Sequence, residues 1–90
     1  MKERSPGQRL EAILNAVRNT KPDPAHPTFA NLAAGPLEDL LSEHGHSLIE
    51  RLKVQARQNP SFNLLLGGVW QGGMSNEVWA AVQAMWLKAW

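Results

Sequence analysis

The sequence predicts an all-α fold, a compact single-domain bundle of five or six helices, two of them short, with a Pro-rich connector after the first. Three observations carry this reading. Apolar residues recur at spacings of three and four through most of the chain, the period of a helix with one buried face. Helix-starting residues recur at Ser5-Pro6, Asn59-Pro60 and Ser75, each offering an acceptor to the unpaired N–H groups of a first turn. No run of β-branched residues alternates over four positions, so strand signals are nearly absent. The chain divides into a first helix over residues 1–19, a connector over 20–27 and a helical core over 28–90.

In the first helix Leu10, Ile13, Leu14 and Val17 repeat at i, i+3, i+4 and i+7. Three prolines between Lys21 and Pro27 then force an extended connector. Thr28 to Ala34 suits a short helical turn with Phe29, Leu32 and Ala33 on one side. Gly35 is expected to end that turn and Pro36 to start the next helix at a sharp corner, with Leu37, Leu40 and Leu41 inward. Gly45 is expected to stop that helix in a left-handed conformation. Ser47 is then the cap of another helix, in which Leu48, Ile49, Leu52 and Ala56 repeat to about Gln58. After Asn59-Pro60 a short helix runs through Phe62, Leu65 and Leu66. Gly67, Gly68, Gly72 and Gly73 enclose Trp70 in a loop, and Ser75 caps a final helix from 76 to about 89.

Composition narrows the function classes. The chain is 43% hydrophobic and 19% charged, values of a folded globule rather than a disordered tail. Without cysteine, disulfides, thiolate metal sites and cysteine nucleophiles are excluded. No segment has the apolar length of a membrane span or resembles a signal peptide, so a cytoplasmic, membrane-free protein is expected. A net charge of +1 exerts no global pull on nucleic acid.

Charge is nonetheless segregated. Residues 1–21 hold Lys2, Arg4, Arg9, Arg18 and Lys21 against Glu3 and Glu11, whereas residues 36–50 hold Glu38, Asp39, Glu43 and Glu50 with no lysine or arginine. Glu38 and Asp39 after Pro36 have a structural explanation, because a helix N-terminus favours anions.

Catalytic and metal chemistry find little footing. Ser5, Ser47 and Ser75 are accounted for as caps, and the paired glycines lack the lysine and preceding strand of a phosphate loop. His44, Gly45 and His46 with Glu43 and His26 offer zinc-type ligands, but a helix break at Gly45 separates the imidazoles and no matching ligand pair exists. No catalytic residue, metal or cofactor is expected. Arg4, Arg18 and Lys21 could contact phosphates, yet they do not interleave with aromatic residues, so nucleic-acid binding is the second reading.

The tryptophans are the strongest signal. Trp79, Trp86 and Trp90 fall within roughly 20° of one helical line at about 100° per residue. Val78, Val82 and Met85 flank them and widen the apolar arc to about 140°, more than the roughly 100° a core-facing helix needs. Trp70 and Trp79 are expected to fill the core. Trp86 and Trp90 are expected to meet a partner, either a second copy through the C-terminal helix or another protein.

Across residues 30–82 several blocks stand out: Leu32-Ala33-Ala34-Gly35-Pro36-Leu37-Glu38-Asp39-Leu40-Leu41, then His44-Gly45, Ile49-Glu50-Arg51 and Asn59-Pro60-Ser61-Phe62. Leu66-Gly67-Gly68-Val69-Trp70 and Val78-Trp79 follow. Together they resemble a family of small, functionally uncharacterised bacterial helical domains. The resemblance implies a compact helical domain and brings no activity or site residues. It leaves out residues 1–29 and the Trp86–Trp90 end, which are then expected to be particular to this chain.

The functional expectation is a non-enzymatic protein-interaction module, such as a toxin-neutralising immunity-type protein or a small inhibitor or adaptor. Its acidic corner of Glu38, Asp39, Glu43 and His44 would steer a basic partner, and Trp86 and Trp90 would anchor it.

Overall fold

The computed structural model describes residues 5–87, and among these residues the ordered elements are all helical. In chain order they are α1 (Pro6–Arg18), α2 (Pro27–Leu32), a π-helical turn (Ala33–Leu37), α3 (Glu38–Gln58), α4 (Pro60–Leu66) and α5 (Asn76–Met85). Because α2, the π turn and α3 join without a break, the architecture is four helical rods rather than the expected five or six helices.

The first helix forms as expected. The Ser5 hydroxyl accepts from the Gln8 N–H at 3.2 Å, and Gln8 Oε1 accepts from the Ser5 N–H at 2.9 Å, a reciprocal cap that satisfies two otherwise unpaired donors. Leu10, Ile13, Leu14 and Val17 are its buried face. In the connector the Asp23 carboxylate accepts from the Ala25 N–H at 2.9 Å and the Asp23 carbonyl from the His26 N–H at 2.8 Å. The prolines are thereby folded into one tight bend before Pro27 opens α2.

The central rod departs from expectation at four residues. Gly35 and Pro36 make no corner, since both lie within the π turn. A proline inside an α-helix deprives the carbonyl four residues back of its donor. An i→i+5 turn moves that acceptance to the residue after the proline, so the rod survives. The wider turn also keeps Phe29, Ala33, Leu37 and Leu41 together in the core. Residues spaced strictly by four drift about 40° per step on a regular α-helix, and the π turn takes up part of that drift.

Gly45 does not end a helix either. It is buried inside α3, and among the described residues only Gly72 has a positive φ, at 51°. A Cβ on Gly45 would lie 2.5 Å from Val78 Cγ1, so this glycine lets α5 approach α3. Ser47 is mid-helix, its hydroxyl donating to the His44 carbonyl at 3.0 Å instead of capping a new helix.

Asn59 caps α4, its side-chain oxygen accepting from the Phe62 N–H at 3.1 Å. Ser75 caps α5 by accepting from the Val78 N–H at 3.2 Å. That helix stops at Met85, short of the expected residue 89, and Asn63 supplies the reason. Buried in α4, its amide nitrogen donates to the carbonyls of Ala56 and Met85, both at 3.0 Å, while its oxygen accepts from the Leu87 N–H at 2.9 Å. The Leu87 N–H is thus drawn away from the carbonyl it would need to continue the helix. One side chain ties the ends of α3 and α5 to α4.

Candidate functional site

Residues 67–75 between α4 and α5 lie across the first turns of α3. Successive turns carry the chain out of α4: the N–H groups of Gly67, Gly68 and Val69 donate to the carbonyls of Leu64, Leu65 and Leu66. Val69 and Met74 are buried. Gln71 fastens the far side, its amide donating to the Met74 carbonyl at 3.3 Å and to Asn76 Oδ1 at 2.9 Å. At Gly72, with φ of 51°, a Cβ would lie 2.7 Å from Glu38 Oε1, and at Gly73 one would lie 3.5 Å from Ser42 Cβ. The loop thus rests on α3 with Gly72, in a left-handed conformation that glycine adopts freely, against the Glu38 carboxylate and Gly73 at ordinary contact distance from Ser42.

Trp70 sits between the buried Val69 and the anchored Gln71 and is 76% exposed. The expectation that it folds into the core is therefore overturned. Val69 and Met74 take the inward positions of this short loop, and the indole is left outside. It stands two residues along the chain from Gly72, beside which the Glu38 carboxylate lies. Asp39, the next residue on α3, is exposed.

The structural explanation for Glu38 and Asp39 falls with the corner at Pro36. They follow an unbroken rod, and the Glu38 N–H is already engaged with the Gly35 carbonyl, so no free helix N-terminus awaits an anion there. Glu43 and His44 face elsewhere. Glu43 pairs with Arg9 of α1 at 2.8 Å, and both line an open groove of about 640 Å³ together with His44, Ala12, Leu32 and Pro36. The four residues expected to form one acidic corner therefore divide: Glu38 lies against the loop, Asp39 is exposed next to it on α3, and Glu43 and His44 line the groove.

A model described as a family of unknown function, DUF6869, matches residues 1–90. The chain belongs to the DUF6869 family. No curated protein and no solved structure matches it. The DUF6869 match takes in the first helix and the C-terminal residues, so these are part of the family pattern and not additions peculiar to this chain.

The remaining expected site residues of this DUF6869 chain are dispersed. Trp86 is half-buried and meets Trp79 edge to face, ring centroids 5.6 Å apart at 80°, with both rings packed against the core. Trp90 and Arg4 lie outside the described residues. Arg18 is exposed at the end of α1 and Lys21 is exposed in the connector. Arg18 shares a shallow surface depression with Glu11 and Arg51, where Arg51 and Glu11 approach to 3.9 Å. His44 and His46 lie two positions apart on one continuous helix, about 200° around it, and point apart. Among the described residues no three potential ligands converge on a metal position.

Two features escaped the sequence reading. Asn63 had a signal, a polar residue inside the apolar run from Phe62 to Leu66, which in a buried helix marks a side chain with backbone groups to satisfy. His46 had none, since its contact with the Ser75 hydroxyl at 3.3 Å depends on α5 crossing α3 at Gly45.

Proposed function

We propose that the chain is a non-enzymatic protein-interaction module whose anchor is Trp70. One observation carries this: an indole 76% exposed on a loop held on both sides by hydrogen bonds and buried side chains. Exposing a tryptophan forfeits a large burial gain, and a rigid aromatic with few rotatable bonds loses little entropy when a partner covers it. Such residues dominate binding energy at interfaces. Trp86, with its ring already covered in part by Trp79, suits a supporting role better than an anchoring one. Among the described residues no helix is long and apolar enough to cross a membrane. Within this reading a cytoplasmic inhibitor, an adaptor or a toxin-neutralising immunity-type protein are the forms that fit a small domain presenting one fixed aromatic.

The test compares proteins retained by the wild-type chain and by W70A in extracts of the source cells, followed by direct titration of each candidate. W70A is expected to keep the wild-type melting temperature and to lose a partner that the wild type binds. Equal retention by both chains would overturn the reading. Binding of single-stranded nucleic acid that falls steeply with salt, and is lost on removing Arg18 and Lys21, would replace it with the nucleic-acid reading.

A further inference from the structure

Resting on the interaction-module reading, we infer that the segment Trp70 receives is basic and presents an arginine, whose guanidinium stacks on the exposed indole while forking to the carboxylates of Glu38 and Asp39. Three independent features of the loop end argue for this occupant.

First, the carboxylates are unspent. Among the described residues Glu11, Glu43 and Glu50 each have a cationic partner, Arg51, Arg9 and Lys53 respectively. Glu38, Asp39 and Glu77 have no ion pair among those residues. Nor does a helix terminus account for Glu38 and Asp39, since the rod is continuous through them.

Second, the described segments that build this end of the fold carry no lysine or arginine. Residues 36–50 and 58–87 together build the start of α3, α4, the loop and α5, and neither stretch contains a lysine or arginine. Arg9, which does reach α3, is held by Glu43 at 2.8 Å. Among the described segments here the unpaired charge is negative, which favours an incoming cation over a phosphate backbone or an acidic segment.

Third, the aromatic and a carboxylate are brought together by backbone geometry. Gly72 adopts a φ of 51° and has no Cβ to push Glu38 aside, so the carboxylate stays against the loop that carries Trp70. A guanidinium uses both features at once, its face on an indole and its edge donating two parallel bonds to a carboxylate. An ammonium can take only one at a time as a point charge.

The test titrates the whole chain with octa-arginine, octa-lysine and octa-glutamate peptides at low salt, reading tryptophan fluorescence and, independently, calorimetry. Octa-arginine is expected to bind and perturb the fluorescence, octa-lysine to bind at least about fivefold more weakly, and octa-glutamate not to bind. E38Q/D39N and W70A are each expected to weaken octa-arginine binding about fivefold or more. E50Q removes the same charge from a residue paired with Lys53 and is expected to leave binding unchanged. Equal affinity for the two basic peptides, or equal loss in E50Q and E38Q/D39N, overturns the arginine assignment. A cellular partner lost with W70A but kept by E38Q/D39N likewise overturns it while leaving the interaction-module reading standing. If W70A loses no partner, that broader reading fails as well.

Discussion

At Gly45 the absent side chain is the contact. Adding one methyl group there places it 2.5 Å from Val78 Cγ1, inside a helix crossing with no room to give. Overpacking of this kind costs about 1–3 kcal/mol, of which alanine's better helix propensity returns about 1 kcal/mol. G45A should therefore lower stability to denaturant, and V78A in the same chain should recover part of the loss through non-additivity in a double-mutant cycle. Glycine has two uses, left-handed backbone and close approach, and the letter alone does not separate them. That is why Gly45 reads as a helix stop when it is a packing site. Trp70 misleads in the opposite direction, because a large apolar side chain reads as core unless its neighbours are seen to occupy the inward positions first. Asn63 allows a sharper forecast. N63A strands the carbonyls of Ala56 and Met85 and the Leu87 N–H, and at about 1–3 kcal/mol for a buried group left unpaired the loss should reach about 3 kcal/mol. Hydrogen exchange at the Leu87 amide should quicken in parallel.

At the level of elements, three of the four expected caps were legible, Ser47 being the exception inside α3, and joints were not. Ser5, Asn59 and Ser75 all cap helices as their sequence context indicates, because a capping side chain needs only its own next three residues. N59A should cost about 1 kcal/mol, measured by thermal unfolding, through loss of the bond to Phe62. Whether two helical stretches fuse depends on what packs beside the joint. Gly35-Pro36 has the letters of a helix end followed by a helix start, yet the four-residue spacing of Phe29, Ala33, Leu37 and Leu41 in the core favours a continuous rod with a wider turn. That spacing was visible in the sequence. Its meaning was not, since spacing by four also fits one face of an ordinary short helix.

At the scale of the molecule, and among the described residues, the loop end is negative and the basic side chains lie on α1, the connector and the later part of α3. This polarity was legible as a run of acids over residues 36–50, but its division was not. Arg9 neutralises Glu43 from a distant part of the chain, while Glu38 stays against the loop that carries Trp70. Since Arg9 is only partly covered and Glu43 is 57% exposed, E43Q should change stability by less than about 1 kcal/mol in chemical denaturation. Association with a basic partner should slow as ionic strength rises through about 0.15 M, where the screening length falls to about 8 Å, and the change should appear in the association rate more than in dissociation. Stopped-flow measurement with increasing sodium chloride checks this.

The unbroken run from Pro27 to Gln58 has a last consequence. The helices α1, α4 and α5 all lean on α3, and α4 also touches α1 and α5. A break in the rod at the π turn would loosen α2, and with it the buried Phe29, from the part of the rod on which the other three lean. Pro36, the residue least suited to a helix, therefore sits at the one joint that couples α2 to this shared axle.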